Sequence, residues 1–285
     1  MSAKVAPALT TRANRRPAPG RRSRLGQNFL VDYDVAKRIV AAAQLADADQ
    51  VLEIGPGKGA LTRILVHWVP KLLAVELDPE LTNSLSHRFA ERENLTVLNQ
   101  DALDFDPARF FSDGYKIVAN LPYYAATPII RKFISARPRP HSLVVMVQKE
   151  VAANIAASPG DMSLLSVMVQ LYGAPRILFS VPPRSFRPMP RVNSAVMRIE
   201  IHDLPAVPVN DPDSFIEFAA AGFRAPRKQL RNSLQLGLKA DPDPVRVTLS
   251  ATGIDGRRRP ATLSLSEWAD LYHAWHTISE ATVTA

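Results

Sequence analysis

Between residues 51 and 147, short apolar runs alternate with segments whose apolar residues recur every three or four positions. The runs at 51–54, 72–75, 95–98, 117–119 and 143–147 have the length of buried strands, and the segments 60–68, 79–91, 107–112 and 127–135 between them have helical spacing. Strand–helix alternation of this kind implies an α/β fold, a parallel, doubly wound sheet with helices on both faces. An alanine-rich helix at 149–157 and an apolar one at 163–171 follow. Strands at 176–181 and 195–201 bracket a Pro/Arg loop and are expected to close the sheet as an antiparallel edge. Residues 203–213 read as a linker, and the helical spacing at 214–223, 227–237, 243–251 and 266–276 predicts a small all-helical C-terminal domain. The expected division is an arm at 1–24, an α/β domain at 25–203 and a helical domain at 204–285.

Charge changes this picture mainly at the N-terminus. The chain carries 35 basic and 27 acidic residues, a net of +8. Seven of the basic ones (Lys4, Arg12, Arg15, Arg16, Arg21, Arg22, Arg24) fall in the first 24 residues, which hold no acid. Without them, 28 basic face 27 acidic residues, so the body is nearly neutral. Such an arm cannot bury a core; it serves either as a salt-sensitive tether to a phosphate backbone or as a solubilising tail. The prolines at 7, 17 and 19 argue against a transit peptide. There is no cysteine, which excludes disulfides, thiolate catalysis and cysteine-ligated zinc. No run of eighteen apolar residues suggests a membrane span, and a cytoplasmic protein that uses no metal is expected.

Candidate chemistry collects at the carboxyl ends of the predicted strands. Glu53-Ile54-Gly55-Pro56-Gly57-Lys58-Gly59 ends the first strand and opens a helix, so a ligand can approach the backbone closely. Its third glycine comes one residue early for a dinucleotide fingerprint. S-adenosylmethionine, which has no phosphate and carries a sulfonium, needs no pyrophosphate cradle. Glu76, 21 residues beyond Gly55, is placed to accept both ribose hydroxyls, and Asp101 to accept from the adenine amine of such a cofactor.

Asn120-Leu121-Pro122-Tyr123-Tyr124 ends the fourth strand. The Asn120 side chain and the Leu121 carbonyl can accept from the two N–H bonds of an exocyclic amine, and Pro122 stiffens the turn. Tyr123 or Tyr124 can stack on one face of a flipped base; both stay open from the sequence. Phe186 is the candidate for the other face. Acceptors on an amine strengthen as positive charge develops there, so they favour the transition state of methyl transfer. Basic residues for RNA are Arg187 and Arg191 beside the proposed pocket and Arg224, Arg227, Lys228 and Arg231 farther on, with Arg257, Arg258 and Arg259 as a further cluster.

These residues together resemble the KsgA-type ribosomal RNA adenine N6-dimethyltransferases. The match runs from about residue 24 to 238 and is carried by Leu25-Gly26-Gln27-Asn28-Phe29-Leu30, the 53–59 loop, Glu76, Asp101, Asn120–Tyr123, Val147-Gln148-Lys149-Glu150, Leu165-Ser166-Val167 and 186–194. The resemblance implies a Rossmann-like S-adenosylmethionine-dependent methyltransferase sheet with a helical C-terminal domain. It implies that Asn28 and Leu30 join Gly55, Gly57, Glu76, Asp101 and Asn120 in holding the cofactor. The expected activity is dimethylation of two adjacent adenosines in a hairpin loop near the 3′ end of small-subunit rRNA, on an immature subunit, by a monomer. Lys58 departs towards the macrolide-resistance methyltransferases of large-subunit rRNA, whereas Leu121 and 185–194 favour the small-subunit branch. A non-catalytic assembly factor of the same fold is the alternative from another class, and Leu121 argues against a DNA adenine methyltransferase.

Overall fold

The computed structural model describes residues 27–112 and 114–283. The basic arm and Leu25-Gly26 lie outside them. The chain enters through a two-residue strand, β1 (Phe29–Leu30), and a helix, α1 (Tyr33–Ala42). Asp32 caps that helix, its carboxylate accepting the Val35 N–H at 3.2 Å. The helix is additional to the expected elements, although Val35, Ala36, Ile39 and Val40 are buried at helical spacing.

Strands and helices then alternate as β2 (Gln50–Ile54), α2 (Thr62–Leu65), β3 (Lys71–Glu76), α3 (Pro79–Arg88), β4 (Leu95–Asn99), β5 (Lys116–Asn120), α4 (Ala126–Ile134) and β6 (Ser142–Gln148). Next come α5 (Lys149–Ile155), α6 (Leu164–Tyr172), β7 (Gly173–Val181), β8 (Phe186–Arg187) and β9 (Ser194–Ile201). The sheet order is β4-β3-β2-β5-β6-β9-β7. β2 to β6 are parallel, β9 is antiparallel to β6, and β7 is antiparallel to β9, which is the closing edge expected from the sequence. The chain order reverses at β2, which is flanked by β3 on one side and β5 on the other. Ligands of such sheets bind outside the strand carboxyl ends at that point.

The apolar runs form strands because both of their faces are covered. Val51, Leu72, Val118 and Val144 face a core shared with α1 and α2, while Leu52, Leu73, Ile117 and Leu143 face a larger one on the other side. Each such side chain, fully buried, contributes about 1.5–3 kcal/mol. The larger core continues into the C-terminal helices α7 (Pro212–Gly222), α8 (Leu230–Leu238), α9 (Pro242–Thr252) and α10 (Leu265–Val283), where Phe215, Phe218 and Trp268 are buried. No described helix is long and apolar enough to cross a membrane.

Two expected helices shrink. Only Thr62–Leu65 is regular α-helix within 60–68, and 107–112 holds a single 3₁₀ turn, Pro107–Arg109. There Phe110 stacks on Phe105 and Phe111 on Tyr115, with centroids 5.2 and 4.3 Å apart. Burying these rings ends the turn.

Candidate active site

A cleft opens at the switch point between the carboxyl ends of β2, β3 and β5, about 1210 Å³ in volume with its open mouth included. Its wall gathers Asn28, Leu30, Gly55, Gly57, Glu76, Asp101 and Asn120, together with Leu121, Pro122, Tyr123 and Tyr124. Residues spread over nearly a hundred positions of sequence thus share one cavity. Of the pocket residues expected from sequence, Phe186 is the one not on its wall.

The glycine loop is held by main-chain bonds. The Gly55 N–H donates to the Val75 carbonyl at 2.9 Å and the Gly57 N–H to Glu76 Oε2 at 3.0 Å. Gly57 has φ +57°, and a Cβ there would lie 3.2 Å from the Phe29 ring. The loop therefore follows a path that an L side chain would strain, against an aromatic lid supplied by β1. Lys58 sits over the same ring at 4.7 Å.

Glu76 also accepts the Asp78 N–H through Oε1 at 3.0 Å. Burial raises its pKa, the Asp78, Gly57 and Leu77 N–H groups pull it down, and the charge of Asp78 pushes it up again. Asp101 ends its loop with the Leu103 N–H on Oδ1 at 2.9 Å. Beneath them lies Glu53, 1% exposed, whose two carboxyl oxygens have no hydrogen-bond partner of good geometry among the described residues. Burial pushes its pKa up to about 8, against the opposing pull of Thr62, with the Glu76 charge adding to the rise. A buried carboxyl with hydrogen-bonding capacity to spare on a cavity wall suits a polar guest. These acids and the tight glycine path fit S-adenosylmethionine, a cationic nucleoside.

The acceptor turn is fixed on two sides. The Leu121 N–H donates to the Met146 carbonyl at 3.1 Å and the Ala125 N–H to the Pro122 carbonyl at 2.9 Å. The Tyr123 hydroxyl meets Ser194 Oγ at 2.7 Å, and Ser194, on β9, is wholly buried. The Tyr123 hydroxyl is thus anchored on β9, while the neighbouring Tyr124 is 54% exposed.

Phe186 is 1% exposed and packs into the smaller core. It pairs with Leu30 across the antiparallel β1–β8 ladder, and so backs the cavity wall from behind. The structure thus does not bring its ring to the acceptor site.

The six basic positions proposed for RNA are all exposed. Arg187 lies beside Phe29 in the β1–β8 ladder and donates to the Arg184 and Phe186 carbonyls. Arg231 lines a groove between α8 and α9 with Arg246 and Arg257. Arg258 is committed to Glu267 and Arg257 to Asp255, 3.0 Å away. The sequence pointed to neither Ser194 nor Glu53 as site residues. Glu53 is legible as the acid opening the glycine loop; Ser194 gives no local signal.

The profile of the ribosomal RNA adenine dimethylase family matches residues 20–275 of the chain. A protein of Dehalococcoides mccartyi strain CBDB1, called ribosomal RNA small subunit methyltransferase A, is 41% identical over 252 residues, covering 88% of this chain and 87% of its own. Its counterpart of the same name in Pelotomaculum thermopropionicum is 41% identical over 281 residues, covering 94% and 95%. Among solved structures, the 23S rRNA methyltransferase ErmE superposes with a TM-score of 0.70 at 27% identity, over 87% of this chain and all of that one. A dimethyladenosine transferase from Plasmodium falciparum gives 0.73 at 22% identity, over 88% and 98%, a likeness of fold.

Proposed function

The chain belongs to the ribosomal RNA adenine dimethylase family, and we propose that its cleft holds S-adenosylmethionine against β2 and β3 and a flipped adenine against the turn after β5. It is an S-adenosylmethionine-dependent enzyme that dimethylates adenine of small-subunit rRNA. The observation that carries the proposed geometry is the joining of Glu76, Asp101 and the glycine loop to Asn120–Tyr123 on one cavity wall.

The cofactor, when bound, supplies an electrophilic methyl carbon. The protein's work is then positioning. Glu76 and Asp101 accept from the donor's ribose and adenine, and Gly55, Gly57, Asn28 and Leu30 shape its seat. Asn120 and the Leu121 carbonyl accept from the target amine and aim its lone pair. These contacts tighten as the nitrogen gains positive charge, so they lower the barrier. Tyr123, whose hydroxyl is anchored on Ser194, supports the base. Phe186 supports the wall through Leu30. Proton loss from the alkylated amine needs no strong base, which suits a wall with no histidine among the described residues.

The finer reading covers two adjacent adenosines in a hairpin loop near the 3′ end, met on an immature subunit by a cytoplasmic monomer. In it the helical segment 204–285, the basic arm 1–24, and Arg187, Arg191, Arg224, Arg227, Lys228 and Arg231 hold the RNA backbone. The test is to offer labelled donor with undermethylated small subunits, large subunits and naked rRNA in parallel. Label in small subunits is expected. Label confined to large subunits would move the chain to the macrolide-resistance branch, towards which Lys58 points.

A further inference from the structure

Beside the cleft mouth lies a surface that the catalytic geometry leaves without a task. Tyr33, at the start of α1, is 49% exposed, and Val31 just before it is 50% exposed. Two cations lie over the Tyr33 ring: the Lys37 ammonium at 4.9 Å and the Arg63 guanidinium at 4.5 Å. Lys37 shares its charge with Asp34, 2.9 Å away. Arg63 has no carboxylate within ion-pair reach among the described residues.

The patch is physically continuous with the active site. The Val31 and Asp32 N–H groups donate to the Ser185 carbonyl, and the Ser185 hydroxyl donates to Asp32 at 2.9 Å. The β1–β8 ladder then sets Arg187 beside Phe29, over which Lys58 lies, and both Phe29 and Lys58 line the cleft. Lys58, Arg187, Arg184, Lys37 and Arg63 make five exposed cations against Asp32 and Asp34. An aromatic ring interleaved with basic groups is what a flexible polyanion with π-faces requires: cations for phosphates, and a ring with a guanidinium plane for a base. A protein partner would be expected to find a larger apolar patch than Val31 and one ring.

We propose that Tyr33, Arg63 and Lys37 form a stacking and phosphate platform for the RNA strand flanking the target adenosine, so that the strand leaves the cleft over β1 and the start of α1. This rests on the rRNA-methylating reading above and extends it to a surface outside the reaction cavity. The platform anchors the strand whose base has been flipped. It contributes to subunit affinity and leaves methyl transfer unchanged.

To test it, undermethylated small subunits and labelled donor are given to wild type, Tyr33→Ala, Tyr33→Phe and Arg63→Gln, and label is followed against subunit concentration. Tyr33→Ala is expected to raise the half-saturating subunit concentration about tenfold, the scale of one lost base stack, with maximal rate and donor affinity unchanged. Tyr33→Phe keeps the ring and stays near wild type. Arg63→Gln weakens binding and flattens its salt dependence. A Tyr33→Ala curve lying on the wild-type curve overturns the platform. A wild type that labels no small subunit overturns instead the reading beneath it. As a second measurement, a photo-reactive amino acid at position 33 should transfer to rRNA in the complex. Crosslinks to ribosomal protein alone, or none, would overturn the proposal.

Discussion

The Tyr123 hydroxyl and the buried Ser194 Oγ lie 2.7 Å apart across 71 residues of sequence. This bond ties the acceptor turn after β5 to the antiparallel strand β9, and so fixes where the tip of the ring sits. Tyr123→Phe keeps the ring but strands the Ser194 hydroxyl in a dry site, a loss of about 1 kcal/mol. Single-turnover methylation should slow several-fold in Tyr123→Phe and in Ser194→Ala. The double variant should be no slower than either single one, because both remove the same bond. Additive losses would mean that the two side chains act separately.

Asn120 closes β5 on the cleft wall. Asn120→Ala should abolish measurable turnover while calorimetric donor affinity stays within a few-fold of wild type. The lost contacts belong to the attacking amine more than to the resting donor. A near-normal rate would remove Asn120 from its role.

Gly57 has φ +57° and a Cβ position 3.2 Å from Phe29 Cδ1. Gly57→Ala puts an L side chain where the left-handed conformation costs about 1–2 kcal/mol. It also pushes against the ring that lids the loop. Donor affinity should fall about tenfold or more, and the melting temperature by several degrees. Unchanged donor binding would show that the loop can be reshaped without loss.

Glu53 is protonated in the fold up to about pH 8 and ionised in the unfolded chain above its ordinary value of 4.5. Between those values the native state holds the extra proton, so stability falls as pH rises, and the full cost stands above pH 8. The penalty is on the order of a few kcal/mol. Burial of Glu76 acts in the same direction. Without donor, the wild-type melting temperature should drop from pH 5 to 8, and Glu53→Gln should flatten that slope. Parallel pH profiles for the two proteins would mean that Glu53 is ionised throughout.

The parallel strands could be read directly, since a strand covered on both faces must be a short apolar run, as 72–75 and 143–147 are. The antiparallel edge could also be read from 176–181 and 195–201. The strand ends brought Gly55, Glu76, Asp101 and Asn120 together because each residue lies at, or within two positions of, the carboxyl end of its strand. Features set by distant contacts were not legible. β1 and β8 are two residues each and pair across more than 150 positions, so neither has a period to detect. Phe186 sits among prolines and arginines, a setting that suggests exposure, yet the ladder turns its ring into the core. The bond between Tyr123 and Ser194 was likewise hidden, because the sequence neighbourhood of Ser194 says nothing of a tyrosine.

The β1–β8 ladder has a mechanical consequence. Leu30 lines the cleft, and its ladder partner Phe186 is buried in the smaller core behind that wall. Removing β1 would therefore take away a cleft-wall contact and uncover the Phe186 ring, which is 1% exposed in the intact fold. One wall of the cleft is thus secured by residues more than 150 positions away in the sequence.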